Sequence, residues 1–394
     1  MRGDPAGRRA LLRSACRHCM ALGALGLGGA WAQDIKGAQP IPQRFTRPTS
    51  ETDEGGLWAM MDREETRLRR SPLVVRDAAL TGYLRELVCK LVGEHCPDVR
   101  VYVVRTPQFN ASMAPNGMMQ VWSGLLLRVD NEAQLVAILG HEAGHYLERD
   151  SLKGLRSAKD KSAAAMVLGM FGLVGAIASL GVVASGYGFS RDQEAQADRI
   201  GLQLMQQAGY DGREFPRVWD NLLAELKVTG GEEAATRSIL FATHPAPGDR
   251  RDTLRQLAGE GGGRLGTEEL ERVLAPHRME WLREEIRRGQ YEESLELFNR
   301  KLALRADDAQ FLYARGEVYR LRDRPEDLQP ALDDFQRGAA VAQAPPDLFR
   351  SLGLLQKRRG DREAAAAAFR KYLALVPDAG DAGLIKTYLS ELPS

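Results

Sequence analysis

His141-Glu142-Ala143-Gly144-His145 sets two imidazoles four residues apart, a spacing that on a helix turns both to one face. Glu142 then projects toward the coordination position that two histidines leave open on a shared metal ion, where a hydrolytic zinc site keeps a water beside a general base. The motif demands a helix that is buried and held rigidly. Asn131-Glu132-Ala133-Gln134 reads as a capping box, and Leu135, Val136, Ile138 and Leu139 form an apolar stripe, so such a helix is expected here. The competing reading is a pair of ordinary helix histidines, a rare coincidence in a chain with 6 histidines among 394 residues.

A hydrolytic zinc needs a third protein ligand, commonly a carboxylate. Ser190-Arg191-Asp192-Gln193 is a second capping box, opening a helix expected to run to Gly209 with Glu194 and Asp198 on one face. Glu194 is the expected ligand. Asp198 is the expected partner of a ligand imidazole, where a carboxylate fixes the tautomer and raises basicity.

Residues 1–32 carry five arginines, one aspartate and an apolar run from Met20 to Gly29, followed by Ala30-Trp31-Ala32, and read as a cleavable export signal. Arg8-Arg9-Ala10-Leu11-Leu12 loosely fits a twin-arginine signal, leaving the export route open between the two bacterial systems. Removing this segment takes the formal net charge from +1 to −3 and leaves no long basic run, which argues against a nucleic-acid partner. Cys89 and Cys96 then remain. Seven residues of unbroken helix would separate them by about 10 Å, so a disulfide requires the break that Gly93 can supply; the alternative is two separately buried thiols.

Residues 33–53, rich in Pro, Gln, Thr and Ser, read as a flexible entry segment to a domain spanning 54–257. Two helical stretches, 57–70 and 77–92, precede a small sheet containing Val99–Val104 and Met118–Trp122, with Asn116-Gly117 as a turn. The Met118–Trp122 strand is either an edge, able to pair with an extended peptide, or internal. The uncharged stretch 162–186 is long enough to cross a bilayer, but one crossing would put His145 and Glu194 on opposite sides. It is therefore expected to form a hairpin that covers the cleft or touches a membrane peripherally. A Gly-rich linker, 258–275, leads to a helical region, 276–394, in which Phe298, Phe335 and Phe369 follow at intervals of 37 and 34, close to the tetratricopeptide period.

Through His141-Glu142-x-x-His145 and Glu194-Ala195-Gln196-Ala197-Asp198, the chain resembles the gluzincin family of metallopeptidases of the HtpX, Oma1 and BepA type. Asn110-Ala111-Ser112-Met113-Ala114-Pro115-Asn116-Gly117 resembles the family's edge-strand segment, and Thr243-His244-Pro245 its downstream histidine motif. The resemblance implies one Zn²⁺ on His141, His145 and Glu194, with Glu142 as base and His244 as oxyanion donor or resting-state ligand. It also implies substrate backbone contacts at Asn110, Ala111, Met118 and Gln120, and Arg250 close to the site, although an arginine between Asp249 and Arg251 can equally be a solvated charge. Asp150 stands where the family has a histidine.

The fold class expected is an α+β zincin-type domain, mostly helical with a small sheet, followed by an all-α repeat domain. An exported peptidase with such repeats resembles the BepA-type periplasmic proteases of outer-membrane protein quality control. That resemblance implies unfolded or misassembled protein as substrate and an assembly machine as partner of the repeats. The rival reading is a non-catalytic periplasmic chaperone or adaptor with a structural zinc.

Overall fold

The computed structural model describes residues 40–160, 189–230, 244 and 247–391. The expected signal segment 1–32 and the expected hairpin 162–186 lie outside the described residues. Ile41–Ser394 hold together as one unit. Helix α1 (Asp53–Arg70) starts on a Thr52 cap and has Asp53 and Glu54 in its first turn and Arg67, Arg69 and Arg70 in its last, charges that complement its dipole. Helix α2 (Ala78–Val92) is capped by Asp77 and stops at Gly93, whose φ of 53° turns the chain into a 3₁₀ segment, Gly93–Asp98. That break brings the Cα atoms of Cys89 and Cys96 to 4.7 Å, and their sulfurs are bonded.

Three strands follow, β1 (Arg100–Val104), β2 (Ala111–Met113) and β3 (Met118–Trp122), in the order β1-β3-β2, with β3 parallel to β1 and antiparallel to β2. Met118–Trp122 is thus the central strand, and the reading of it as an edge is corrected. The outer side of β1 is covered, since Val75 donates to the Val103 carbonyl and Arg105 to that of Leu73. The open edge among the described residues is β2.

A short helix, α3 (Ser123–Arg128), leads into the motif helix α4 (Glu132–Leu147), every residue of which is buried. Asn131 caps it as expected, but the Gln134 side chain accepts from the backbone N–H of Asp130 rather than closing the box on Asn131. Next come α5 (Asp150–Asp160), α6 (Arg191–Gln207) with a complete Ser190/Gln193 capping box, α7 (Glu214–Lys227) and α8 (Pro247–Leu257). One apolar core joins α2, the inner face of the sheet, α4, α6 and α7.

The C-terminal helices are α9 (Thr267–Arg287), α10 (Tyr291–Leu304), α11 (Ala309–Arg322), α12 (Leu328–Ala339), α13 (Pro346–Arg359), α14 (Arg362–Leu375) and α15 (Ala382–Ser390). Phe298, Phe335 and Phe369 are fully buried in their common core. The linker closes at Gly266, not at 275: the first turns of α9 bury Leu270 and Leu274 in the N-terminal core, so apolar periodicity outweighs the glycine-rich approach. A buried ionic cluster ties the two regions. Arg128 bonds Glu225 at 2.7 Å and Glu285 at 3.0 Å, and the Lys301 ammonium donates to the Val129 carbonyl at 2.6 Å and to Asp130 at 2.8 Å.

The entry segment departs from expectation. From residue 42 onward it is fastened down, with Arg44 bonded twice to Asp98 and Phe45 packed on the core, because one aromatic ring in polar sequence is enough to dock it. No helix among the described residues is long and apolar enough to cross a membrane.

Candidate active site

Helices α4 and α6 approach unusually closely because their contact is lined by small residues. A Cβ on Gly201 would lie 2.8 Å from the His141 backbone nitrogen, and one on Gly144 would lie 3.0 Å from Ala197. Only glycine permits this approach, and it brings the Glu194–Asp198 face of α6 against the two histidines of α4. Ligand atoms of His141, His145, Glu194 and His244 all lie within 4.8 Å of one another, and all four residues are buried.

The outer nitrogens of the two motif histidines are already committed to carboxylates. His141 Nδ1 lies 2.9 Å from Asp198, and His145 Nδ1 lies 2.8 Å from Asp150. Each carboxylate favours the Nδ1–H tautomer, which directs the Nε2 lone pair inward. The two Nε2 atoms face each other at 3.2 Å, with Glu194 oxygens 3.6 Å from His141 and 3.4 Å from His145. Two imidazole nitrogens and a carboxylate oxygen converging at such range, backed by a third imidazole, are the donor types and number that fit a divalent metal.

Glu142, 4% exposed, lies on the same helix with its carboxylate 3.7 Å from His244 Nε2, while His244 Nδ1 is 2.8 Å from Glu194. Arg250, on α8, is 7% exposed and grips Asp198 through two bonds of 2.7 Å, with a third guanidinium nitrogen 2.5 Å from Glu194. Its guanidinium carbon lies 4.6 Å from the Trp219 ring centre. Of the two readings of Arg250, the structure has it close to the site and not solvated: α8 turns it inward, its charge balanced by two carboxylates.

These charges set the protonation pattern. Burial disfavours the His141 imidazolium and nearby Arg250 disfavours it further, so its pKa falls below the ordinary histidine value. Burial raises the Asp198 carboxyl, but Arg250 outweighs it and brings the pKa down to about 2. At Glu194 burial is likewise overcome by the surrounding imidazoles, and the group stays ionised.

Asn110, Ala111, Met118 and Gln120 do not act as one set. Trp122 donates to the Asn110 carbonyl and Ala114 to that of Met118, so positions 110, 112 and 114 face β3. Ala111 and Met113 therefore turn their backbone groups to the open edge. Met118 and Gln120 sit on the central strand with both sides of their backbone paired, which removes them from contact with a substrate backbone. Gln120, 1% exposed, shares a face with Met118 and Trp122, which pack on Met61 and Leu68 of α1, away from α4. Met113, Asp150, Trp219 and Phe189, whose ring stacks on His145 at 3.9 Å between centroids, complete the surroundings, and the sequence patterns assign none of them a site role. Asp150 is detectable in principle as a carboxylate five residues beyond His145.

A buried helix bearing two histidines and a glutamate, with a carboxylate supplied by a second helix, defines a metallopeptidase domain of the HExxH class. Residues 75–258 match the model of Peptidase family M48, and this domain belongs to that family. The chain is 26% identical over 240 residues to the beta-barrel assembly-enhancing protease of Escherichia coli (strain K12), covering 57% of this chain and 48% of the relative. It is 31% identical over 156 residues to the mitochondrial metalloendopeptidase OMA1 of Arabidopsis thaliana, covering 40% of this chain and 31% of that protein. The OMA1 of Schizosaccharomyces pombe is 32% identical over 152 residues, 37% and 42% of the two chains. The chain thus spans about half the length, or less, of the curated relatives it matches.

Proposed function

We propose that this chain is a zinc-dependent endopeptidase of the periplasm, with residues 1–32 as its export signal, cleaving misfolded or unassembled envelope proteins. The observation that carries the catalytic part is the convergence of His141, His145 and Glu194 beside Glu142. Zinc held by those three residues would supply a Lewis acid for the scissile carbonyl and lower the pKa of water. Glu142 takes a proton from the attacking water and returns it to the leaving amine. His244 donates a hydrogen bond to the carbonyl oxygen as negative charge develops there. Asp198 and Asp150 hold the two imidazoles in the tautomer that faces inward, and Arg250 fixes Asp198.

The open edge at Ala111 and Met113 suits an extended, unfolded chain, which would add as a further strand through backbone hydrogen bonds with little regard for sequence. The helices from α9 onward, read as tetratricopeptide-like repeats, would dock substrate or an outer-membrane assembly machine. Support for the substrate class comes from the beta-barrel assembly-enhancing protease of Escherichia coli, matched over part of its length.

His244 supports a second reading. Its Nδ1 lies 2.8 Å from Glu194 and 3.4 Å from His141 Nε2, so it can serve as a fourth ligand, and a closed four-ligand site is the mark of a structural metal in an adaptor or chaperone. Metal analysis paired with casein digestion separates the readings. Wild type that binds zinc and digests casein, with Glu142→Gln retaining zinc but not activity, is the expected result. Zinc-loaded wild type that is inactive even as His244→Ala favours the adaptor. Within the enzyme reading, an overactive His244→Ala marks His244 as a resting-state ligand, and an inactive one marks it as catalytic.

A further inference from the structure

Between residues 40 and 52 the chain has no regular helix or strand, and every residue except Phe45 and Pro48 is exposed. Its one inward-turned ring packs 4.7 Å from His95 and 5.3 Å from Tyr146, with the Arg149 guanidinium 4.4 Å from its centre. The segment is tethered by Arg44 to Asp98 and by the Pro42 carbonyl, 2.8 Å from His95 Nε2. Arg44 and Arg47 add ion pairs to Asp98 and Asp62, and both arginines are exposed, so water competes for these two contacts.

The place where this ring lands bears on the site. Phe45, Met113, Pro115 and Leu152 line a cavity with His145, and only about 10 Å³ of it remains open, room for a single water. Tyr146, Ser151 and the paired Glu54 and Arg149 complete the lining, so the cavity has an apolar side at Phe45, Met113, Pro115 and Leu152 and a polar rim. Met113 belongs to the open edge, and in an antiparallel pair directly opposed residues project side chains to the same face. A peptide residue laid opposite Met113 would therefore point its side chain at the space that Phe45 fills, beside His145.

We propose that this cavity is the subsite for a bulky apolar side chain flanking the scissile bond, and that Phe45 is its resident plug, displaced when substrate binds. The inference rests on the endopeptidase reading. The ligand class is an extended polypeptide with an aromatic or large aliphatic residue at that position. Export and assembly substrates expose such residues only while unfolded, so a self-plugged apolar subsite selects against folded or polar chains.

The test uses the full chain with Phe45→Ala and Phe45→Leu, and a pair of peptides carrying Phe or Ala beside the cleaved bond. Phe45→Ala is expected to raise the Phe-over-Ala preference in kcat/KM about tenfold, with Phe45→Leu between it and wild type. Affinities of the same peptides are measured in the Glu142→Gln background, where cleavage is not required. The same ordering there supports the subsite even if no variant cleaves, in which case the endopeptidase reading fails separately. A preference unchanged in both readouts, or an equal loss for both peptides, overturns the proposal. Phe45→Leu preserves apolar packing and decides alone should Phe45→Ala melt below the assay temperature.

Discussion

A Cβ on Gly201 would come within 2.8 Å of the backbone nitrogen of His141, so the cluster of His141, His145 and Glu194 depends on a glycine seven residues beyond Glu194 that carries no chemistry itself. Gly201→Val must push α6 away from α4 and separate Glu194 from the two imidazoles. The expected cost is about 1–3 kcal/mol of stability with a marked loss of bound metal. Chemical denaturation and metal content of the purified variant check it, and full occupancy would show that the helices tolerate the wider spacing.

Asp150 and Asp198 each hold the outer nitrogen of a motif histidine. Asp150→Asn and Asp198→Asn should each weaken metal affinity roughly 10- to 100-fold, since an amide orients the ring but does not raise its basicity. Competition with a chromophoric chelator measures this. Asp198→Asn should be the more damaging, because it also leaves Arg250 without its main partner in a buried site.

Much of this centre is legible in the sequence, and the reason is local. Helix periodicity and two capping signals place His141, His145, Glu194 and Asp198 on faces that can meet, whatever the rest of the chain does. Sheet order is not local: nothing within Met118–Trp122 distinguishes a central strand from an edge, because that depends on where β1 and β2 pair. For the same reason the local sequence does not place Asp150 or Arg250 at the site, as each lies in the first turn of a separate helix whose direction only packing decides. Phe45 shows a limit of composition, since one ring docks a segment that is otherwise polar.

Burial lowers the Lys301 ammonium to about 8, with Asp130 opposing the shift. The unfolded chain keeps this lysine protonated to about 10.4, so between the two values the unfolded state binds more protons and stability rises with pH. Lys301→Met removes that contribution. The difference in unfolding free energy, wild type minus variant, should therefore move in favour of wild type from pH 7.5 to 9.5, as read by denaturant titrations at each pH. A flat difference would mean that Lys301 titrates normally.

The Cys89–Cys96 bond closes a short loop that carries His95, one of the anchors of the Phe45 segment. Replacing both cysteines by serine should cost about 2–3 kcal/mol on the loop-entropy model. Thermal melts of the double variant, with and without reductant, give the value; a melt equal to the oxidised wild type would remove the bond from the account.

X-ray absorption at the zinc edge of the purified protein tests the central claim most directly. The account predicts a first shell of imidazole nitrogen and carboxylate oxygen at about 2.0–2.2 Å, with the imidazole signal reduced in His145→Ala. Zinc that is absent from the wild type, ringed by sulfur, or unchanged in its shell when His145 is removed would contradict it.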